Sequence, residues 1–493
     1  MTTKPIPAKT SKPSLGATSS SRATRLEDLY KVLKPSPLLT EREFAAFYRP
    51  AINDLRGTDI VGRLSLALER CHNAMPLKAL LMGHSGVGKS TELTRLIRNN
   101  SAKYRVLRLS VTTLLDPQSF APFDVLLLMM AELAEATARP VTEGGAGKHP
   151  SDAILRDIWD WFSTEKETMA RSVQTGAEAA AGAGVSGDSW WAKALGLFAS
   201  LKGEFKYASV REKQVTTYRL SRLDSLIQAV NKMSVECDRL LRDATGCEWL
   251  FAVEDCDKAG VSPKSVEDFF VTYANVLRDL EAHWIFTIPI ALGYSPKASS
   301  LPAQQDMIFC MPDTMVFHPD NSPHLEGRAA VQEVLEARLD ATLFAPRQLN
   351  RLIVASGGNL RDLFAMTCTA GDEALLRHSR QIEARDVDAA VAQMRTTYER
   401  RLGEGPYDVE LWAGGTEGLI TFEKKAQRLV RIYKQDPAAR IPDPVLFSLL
   451  HARAVREFNG NRWFGIHPLV VDILAMQGKI KAPRKGPVPG GPE

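Results

Sequence analysis

A glycine-rich loop near the start of the chain matches the pattern G-x-x-x-x-G-K-[ST] at every fixed position. The residues of the loop are Gly83, His84, Ser85, Gly86, Val87, Gly88, Lys89 and Ser90. An apolar run at 77–82 precedes the loop, and helix formers follow it at 91–98. A buried strand, a glycine loop and a helix in this order are typical of a phosphate-binding loop. They predict a mononucleotide-binding fold built on a parallel sheet.

The residue types of this loop suit the phosphates of a nucleotide triphosphate. Glycines allow consecutive backbone N–H groups to converge on phosphate oxygens, and the start of a helix favours negative charge. We expect Lys89 to contact the β- and γ-phosphates, and the hydroxyl of Ser90 to complete the coordination shell of a magnesium ion. Together with Thr91, the loop is the predicted binding site for ATP and Mg²⁺.

A second motif, at 249–257, is an apolar strand that ends in acidic residues. Phosphoryl transfer needs one carboxylate that holds the magnesium water shell opposite the loop serine and a second that orients the attacking water. Position assigns Glu254 to the metal and Asp255 to the water, with Asp257 as a third candidate. These roles predict an ATPase. If Asp255 binds the metal instead, the roles shift by one residue and hydrolysis is expected to be slow or absent.

The bulk composition narrows the remaining possibilities. The chain has 493 residues, 44% of them hydrophobic, which is enough for roughly two to four domains. A net charge of +4 is small for this length, so whole-molecule electrostatics do not argue for nucleic acid. The six cysteines form no C-x-x-C pair, which favours reduced thiols over disulfides or structural zinc. With no transmembrane-length apolar run and no secretory signal, the expected location is the cytoplasm.

The segment Ser356-Gly357-Gly358-Asn359-Leu360-Arg361-Asp362-Leu363 carries a family resemblance. It resembles the sensor 2 element of AAA+ ATPases, in the variety shared by origin-recognition initiators and the signal-transducing STAND ATPases. The resemblance covers about residues 26–400. It implies that Arg361 reaches the γ-phosphate from a helical lid, so that ATP links the lid to the core and hydrolysis releases them.

The strand predicted at 284–290 contains one polar residue, Thr287. If the sheet has the additional-strand order of the AAA+ class, Thr287 points at the γ-phosphate and belongs to the catalytic set. Threonine is also an ordinary strand former, and the two interpretations weigh about equally. The segment 313–318 is expected to supply the fifth strand.

The predicted fold class is therefore α/β, a P-loop NTPase of AAA+-like type with a parallel sheet, a helical lid and a C-terminal winged-helix-like domain. The predicted boundaries are a basic disordered tail at 1–25, the nucleotide-binding domain at 26–320 with a helical insertion at about 151–215, the lid at 321–400, the winged-helix-like domain at 401–478 and a disordered tail at 479–493.

Three segments, at 83–93, 253–258 and 459–468, more closely resemble a group of bacterial stand-alone ATPases associated with anti-phage defence. This resemblance implies an ATP-dependent molecular switch that hydrolyses ATP slowly and controls a protein effector. The alternative is a DNA-binding AAA+ loader, or a regulator of transposition or replication.

One departure from the AAA+ pattern concerns assembly. Rings of this class usually place an arginine finger after the sensor 1 strand, but residues 293–313 contain no arginine. The candidates to act from a neighbouring subunit are Arg278, Arg328 and Arg338, or the chain uses no finger in trans. A homo-oligomer is thus one option, less secure than ATP binding.

The last unit, 401–478, shows helical patterns at 422–433 and 444–458, then a turn and a short strand. Helix, helix and hairpin suit a winged helix, which holds DNA in initiator-like ATPases. Arg453, Arg456 and Arg462 are the candidate phosphate contacts, with Trp463 at the wing. Since winged helices also bind proteins and the charge is modest, we favour a protein partner over DNA.

The stretch 190–207 carries apolar residues at helical spacing, with lysines on the other side. Such a helix either rests on a membrane surface or a partner helix, or packs against its own domain. Packing within the domain is the favoured interpretation, and membrane contact is the alternative.

Overall fold

The computed structural model describes residues 22–57, 59–71, 75–163, 189–206, 213–258, 260–405, 408, 419–458 and 463–481. Several predicted features lie outside these residues: most of both tails, the centre of the insertion, the turn at 459–461 and Arg462.

The centre of the molecule is a five-stranded parallel sheet. Its strands are β1 (Lys78–Met82), β2 (Tyr104–Ser110), β3 (Glu248–Glu254), β4 (His283–Ile288) and β5 (Ile308–Cys310). The order across the sheet is β2-β3-β4-β1-β5, so β4 lies between β1 and β3. This is the additional-strand order that the resemblance implies, and the predicted α/β fold class is confirmed. β4 is buried along its whole length, as expected for a parallel sheet covered on both faces.

The register of the sheet brings the predicted motifs to one edge. Ser110, the last residue of β2, pairs with Glu254, the last residue of β3. Met82, after which the glycine loop begins, pairs with Ile288 on β4 and with Cys310 on β5. Because parallel strands all end at the same edge, the loop and the acids face one crevice, which is where ligands bind in open α/β sheets.

Helices surround the sheet and precede it. Before β1 lie α1 (Leu29–Val32), α2 (Glu41–Phe47), α3 (Ala51–Asp54) and α4 (Ile60–Arg70). Between β1 and β5 lie α5 (Lys89–Asn99), α6 (Val111–Leu114), α7 (Pro122–Ala138), α8 (Asp152–Ser163), α9 (Trp190–Phe205), α10 (Lys213–Ser221), α11 (Leu223–Thr245), α12 (Pro263–Glu267), α13 (Ala274–Arg278) and α14 (Ile290–Gly293).

The segment predicted as the lid, which we continue to call the lid, contains four helices, α15 (Leu325–Glu336), α16 (Gln348–Ser356), α17 (Leu360–Leu376) and α18 (Ala384–Leu402). Asn359 caps α17, since its side-chain oxygen accepts hydrogen bonds from the backbone N–H groups of Arg361 and Asp362. An ion pair between Arg377 and Asp386 ties α17 to the first turn of α18, with a guanidinium nitrogen 2.5 Å from a carboxylate oxygen.

The C-terminal unit contains α19 (Phe422–Tyr433), α20 (Pro444–His451), the hairpin of β6 (Val455–Phe458) and β7 (Trp463–Ile466), and α21 (Pro468–Met476). Helix, helix and hairpin occur in the predicted order. The single helix predicted at 444–458 is wrong in its second half. Arg453 adopts the left-handed conformation, with φ of 59°, which ends the helix and turns the chain into β6.

The prediction of a fifth strand at 313–318 is also wrong. The fifth strand is β5, which pairs with β1 directly beside the glycine loop. Residue 313 has already left the sheet, because the N–H of Asp313 donates to the carbonyl of Glu457 in β6 at 2.9 Å. The sheet is thus completed by the shorter segment, and the predicted segment meets the C-terminal hairpin.

The described part of the insertion packs against its own domain, as favoured. The side chains of Phe198, Leu201 and Phe205 on α9 are fully buried in the main core. One of the lysines is paired with this domain as well, since Lys202 lies 2.8 Å from Glu132 and from Glu135 on α7. Every helix among the described residues is too short or too polar to cross a bilayer.

The predicted tails extend a few residues too far into the folded chain. Ala23 is 2% exposed, and its N–H donates to the carbonyl of Arg338 at 2.7 Å. Arg22 donates to the carbonyl of Leu339 at 2.9 Å. At the other end, Lys479 lies 2.6 Å from Glu423 on α19. The described residues at 22–25 and at 479 therefore contact the folded chain.

Candidate nucleotide-binding site

The glycine loop forms one wall of a cavity of 490 Å³. Gly86 and Gly88 both adopt positive φ, 97° and 99°, a conformation that costs glycine little. Lys89 is the first residue of α5, so the loop passes directly into a helix N-terminus, where backbone N–H groups favour an anion. The loop residues that line the cavity are Ser85, Gly86, Val87, Gly88, Lys89, Ser90 and Thr91.

Two predicted loop residues lie behind this wall. Gly83 and His84 do not line the cavity; their carbonyl oxygens accept hydrogen bonds from Nζ of Lys89 at 2.6 Å and 3.0 Å. The ring of His84 is buried, and burial lowers its pKa to about 4, so the imidazole is neutral at pH 7. Both residues therefore support the loop and do not face the cavity.

Lys89 is held at the cavity edge by an acid from the β3 tip. Its Nζ lies 2.8 Å from a carboxylate oxygen of Asp257, and both side chains are more than nine-tenths buried. The structure thus brings the third acidic candidate onto the loop lysine. Such a pair keeps the ammonium group aimed between the loop and the strand tip.

Glu254 is paired with an arginine that the sequence did not single out. Arg108 on β2 donates from Nε to a carboxylate oxygen of Glu254. The same guanidinium donates to Oγ1 of Thr94 at 2.8 Å and to the carbonyl of Ser90 at 3.1 Å. Arg108 therefore joins the β3 acid to the first turn of α5, and both residues line the cavity.

Asp255 occupies a constrained position at the strand tip. Its φ is 77°, a left-handed conformation that a non-glycine residue adopts at an energetic cost. One carboxylate oxygen accepts hydrogen bonds from Ser110 at 2.6 Å and from Thr112 at 3.3 Å, and it lies 2.9 Å from Nζ of Lys258. These contacts fix the direction of the carboxylate beside the cavity.

Thr287 is buried and does not line the cavity. Its Oγ1 accepts a hydrogen bond from the backbone N–H of Asp255 at 3.0 Å. This contact holds the strained backbone of Asp255 in place. The placement does not match the predicted contact with a γ-phosphate, because the hydroxyl is turned toward β3; Thr287 acts through Asp255.

The predicted magnesium site fits these residues only in part. Ser90 lines the cavity at the start of α5 and offers a hydroxyl. The three acids nearby are already paired with cations: Glu254 with Arg108, Asp255 with Lys258 and Asp257 with Lys89. Magnesium ions in nucleotide sites are held by one or two carboxylates together with substrate phosphates, and a carboxylate beside a cation attracts the ion less. As arranged here, Glu254 does not fit the metal role predicted for it.

The lid contacts the glycine loop directly through the start of α17. The side-chain nitrogen of Asn359 donates to the carbonyl of Ser85 at 3.0 Å. A Cβ atom on Gly86 would lie 2.4 Å from the side-chain oxygen of Asn359 and 2.8 Å from Cβ of Arg361. From the sequence, Asn359 was named only as part of the segment that resembles sensor 2, and no role was predicted for it. In the structure it is the residue that joins lid and loop.

Arg361 lines the cavity. Its Nε is buried and has no hydrogen-bond partner among the described residues. Burial and the nearby charge of Arg453 lower the pKa of Arg361 from its ordinary value, although Asp257 and Asp255 act in the opposite direction. Since arginine stays protonated in proteins, this unpartnered donor is suited to an anionic ligand.

The far wall of the cavity comes from the N-terminal segments 34–39 and 47–56, which the sequence did not assign to the site. Thr91 anchors the first, because its Oγ1 accepts from the N–H of Leu38 at 3.3 Å. Arg56 anchors the second by donating to the carbonyl of Val87 at 2.5 Å. The mixed apolar and polar lining of this wall suits the base and sugar of a nucleotide.

The three arginines considered as fingers differ in placement. Arg338 lines the cavity of its own chain, stacked between the rings of Phe47 and Phe364. Burial lowers its pKa to about 10, so it remains charged at pH 7. Arg278 donates to the carbonyl of Ser300 at 2.6 Å, and Nε of Arg328 donates to the carbonyl of Val316 at 3.0 Å.

The lining of the cavity carries an excess of positive charge, with eight basic and four acidic side chains among the described residues. The basic residues are Lys34, Arg49, Arg56, Lys89, Arg108, Lys258, Arg338 and Arg361, and the acidic residues are Glu92, Glu254, Asp255 and Asp257. An excess of four positive charges at a helix N-terminus attracts a polyphosphate.

The C-terminal unit reaches the back of the same loop. Arg453 donates to the carbonyl of Ser85 at 3.3 Å. Arg456 donates to the carbonyl of Gly357 at 2.7 Å and lies 3.7 Å from Asp362 on α17. These two arginines, considered as DNA contacts, therefore face the protein interior. Arg456 is only 2% exposed and is unavailable to a phosphate backbone.

Asp362 is the centre of this buried contact. Its carboxylate accepts a hydrogen bond from the hydroxyl of Tyr398 at 2.7 Å and lies 3.6 Å from Nε2 of His467. Burial alone raises the pKa of Asp362, but His467 and the charge of Arg453 outweigh it, so the pKa lies below its usual range. The carboxylate next to Arg361 thus stays ionised and joins α17 to the C-terminal unit.

No protein-family model and no curated protein matches the chain. The chain is similar to Cdc6p from Pyrobaculum aerophilum, with 11% identity and a TM-score of 0.36 over 91% of this chain and 98% of that one. It is also similar to the ORC2 protein of Aeropyrum pernix in ADPNP–ADP complexes, with 11% identity and a TM-score of 0.37 over 88% and 100%. A Walker-type ATPase of Pyrococcus abyssi gives 14% identity and 0.36 over 90% and 99%. Similarity this weak does not assign a function, which rests on the geometry of the site.

Proposed function

We propose that this chain is an ATP-binding molecular switch that hydrolyses ATP slowly. The observation that supports this best is the convergence of Lys89, the N-terminus of α5 and the unpartnered Nε of Arg361 on one cavity with four excess positive charges. A triphosphate bound there lies against the glycine loop, with Lys89 and Arg361 as its cationic contacts. Arg338 adds positive charge from the same chain.

Asp255 is the residue we assign to the attacking water. Its carboxylate is aimed by Ser110 and Thr112, and its backbone is held by Thr287. A fixed carboxylate beside the cavity orients a water and accepts its proton. Lys258 already contacts one carboxylate oxygen of Asp255 at 2.9 Å and competes with a water for it, which agrees with slow turnover.

The switch acts through α17, which carries contacts in both directions. Asn359 and Arg361 face the loop and the cavity, while Asp362, in the same first turn, binds the C-terminal unit. A change of nucleotide that moves α17 must also move the groups bound to Asp362. We infer that the output is control of a protein effector, and the resemblance of the sequence points to anti-phage defence in the cytoplasm. A homo-oligomer remains a prediction.

The experiment for this proposal compares the thermal unfolding of the wild type and Lys89→Ala with and without ATP. A ligand at about 100 times its dissociation constant stabilises the folded state by about 2.7 kcal/mol. The wild type is expected to gain this stabilisation and Lys89→Ala to lose it. The matched control is Lys103→Ala, an exposed lysine outside the cavity, which should behave as the wild type.

Asp255→Asn separates binding from turnover in the same assay. It is expected to keep the ATP-induced stabilisation and to lose phosphate release. An unchanged melting shift in Lys89→Ala contradicts the proposed site. Native turnover in Asp255→Asn transfers the water-orienting role to another acid.

The alternative function, a DNA-binding loader or regulator, is not favoured by the inward placement of Arg453 and Arg456. A gel shift with random duplex DNA distinguishes this DNA-binding function from the proposed switch. The alternative predicts a complex that weakens steeply as salt rises, because phosphate contacts release counterions. The proposal predicts no shift at low salt.

A further inference from the structure

The position of Arg108 bears on the metal requirement of the site. Its guanidinium contacts three groups at once: the carboxylate of Glu254, Oγ1 of Thr94 and the carbonyl of Ser90. Three donors used in one planar fork leave the side chain little freedom. Ser90, whose hydroxyl was predicted to bind magnesium, is therefore held through its backbone carbonyl by Arg108.

Each of the three acids at the strand tip is paired with a cation, so a divalent ion would compete with that cation for the carboxylate. Glu254 is 4% exposed, and Arg108 is its partner. The other two acids at the strand tip pair with Lys258 and Lys89. Arginine remains protonated at any physiological pH, so the positive charge of Arg108 is permanent. A magnesium ion placed between Ser90 and Glu254 would meet this charge at close range.

We propose that Arg108 is the resident cation of the nucleotide site: it takes the magnesium side of the cavity, so that this chain binds ATP with little dependence on magnesium. The inference rests on the proposed function, since it concerns ATP at the same site. Arg108 lines the cavity next to the start of α5, where a fixed positive charge supplies part of the field that a metal supplies in other sites. Because Arg108 pairs with the carboxylate of Glu254 that was predicted to hold magnesium, it becomes the residue that determines whether ATP binds with or without the metal.

The test measures binding of a fluorescent ATP analogue in EDTA and in excess MgCl₂, and compares the two dissociation constants. For the wild type the ratio of the constant in EDTA to that in magnesium is expected to stay below about 3. For Arg108→Gln, which removes the charge, the ratio is expected to exceed about 10, equivalent to about 1.4 kcal/mol. Arg108→Met serves as a second neutral variant if Arg108→Gln fails to fold.

Two control variants separate charge from structure. Arg108→Lys keeps a positive charge and should keep the low ratio. Arg105→Met removes an arginine from the same strand that instead bonds to the carbonyl of Ser101, and it should behave as the wild type. A wild-type ratio above about 10, or equal ratios in the wild type and the neutral variants, overturns the inference while leaving ATP binding intact. Absence of binding in both buffers overturns the proposed function itself.

Discussion

Gly86 shows how a single residue couples the loop to the lid. Its φ of 97° excludes most side chains, and a Cβ atom there would also collide with Asn359 and Arg361. Gly88 has nearly the same φ, 99°, but a Cβ atom there meets nothing within 4 Å. Comparing substitutions at Gly86 and Gly88 therefore separates the cost of backbone strain, which both share, from the cost of disturbing the contact with α17, which only Gly86 makes.

We predict that Gly86→Ala destabilises the protein more than Gly88→Ala does. Both substitutions carry the strain of positive φ, on the order of 1–3 kcal/mol. Gly86→Ala adds a forced displacement of α17, which we expect to cost at least about 1 kcal/mol more. Urea unfolding without nucleotide measures the difference. Equal losses in the two variants would show that loop and lid are not in contact.

At the same scale, the sequence predicted the loop, the strand-tip acids and Arg361 because fixed spacing and strand ends identify them. Arg108 and Asn359 were missed for different reasons. Arg108 lies inside a strand, and its contact with Glu254 depends on the pairing of β2 with β3, which no local pattern records. Asn359 caps α17, and its side-chain amide also reaches Ser85, a contact between distant parts of the chain that the local sequence does not indicate.

At the scale of elements, the sequence-based predictions of strands and helices failed where tertiary contacts determine the secondary structure. Three-residue β5 is too short to be recognised by alternation, and it forms because it pairs with β1. The helix predicted at 444–458 continues an apolar pattern, but the chain reverses at Arg453 so that β6 can pair with β7. The parallel strand β4 was predicted to within two residues because its burial along the whole length requires a nearly continuous apolar run.

The same reversal explains why the basic residues of the C-terminal unit were misjudged. The sequence shows Arg453 and Arg456 as charges near a predicted wing. The turn before β6 and the hairpin itself direct them at Ser85 and Asp362. Their positive charge therefore stabilises a contact between units, and only the fold reveals it.

For the whole molecule, the contact between lid and C-terminal unit predicts a dependence of stability on pH. Burial lowers the pKa of His467 to about 3, so the ring stays neutral in the folded state. In the unfolded chain a histidine gains a proton below about 6.5, and each pKa unit is about 1.36 kcal/mol. A lowered folded pKa means that the unfolded state binds more protons, so stability falls as pH drops from about 6.5 toward 3.

The variant His467→Asn isolates this effect, because asparagine can still cap α21 but does not titrate. The stability of the wild type relative to His467→Asn is expected to decrease by about 2 kcal/mol between pH 7 and pH 5. Urea unfolding at the two pH values measures it, and other titrating groups cancel in the comparison. A constant difference would mean that His467 is not buried against Asp362.

The most direct test of nucleotide binding at this cavity is an experimental structure of the chain with a non-hydrolysable ATP analogue. We expect the triphosphate to lie against Gly86, Gly88 and Lys89, with the guanidinium of Arg361 on the terminal phosphate and Arg108 still paired with Glu254. An analogue bound elsewhere, or a cavity closed by the Lys89–Asp257 pair at saturating analogue, would contradict this expectation.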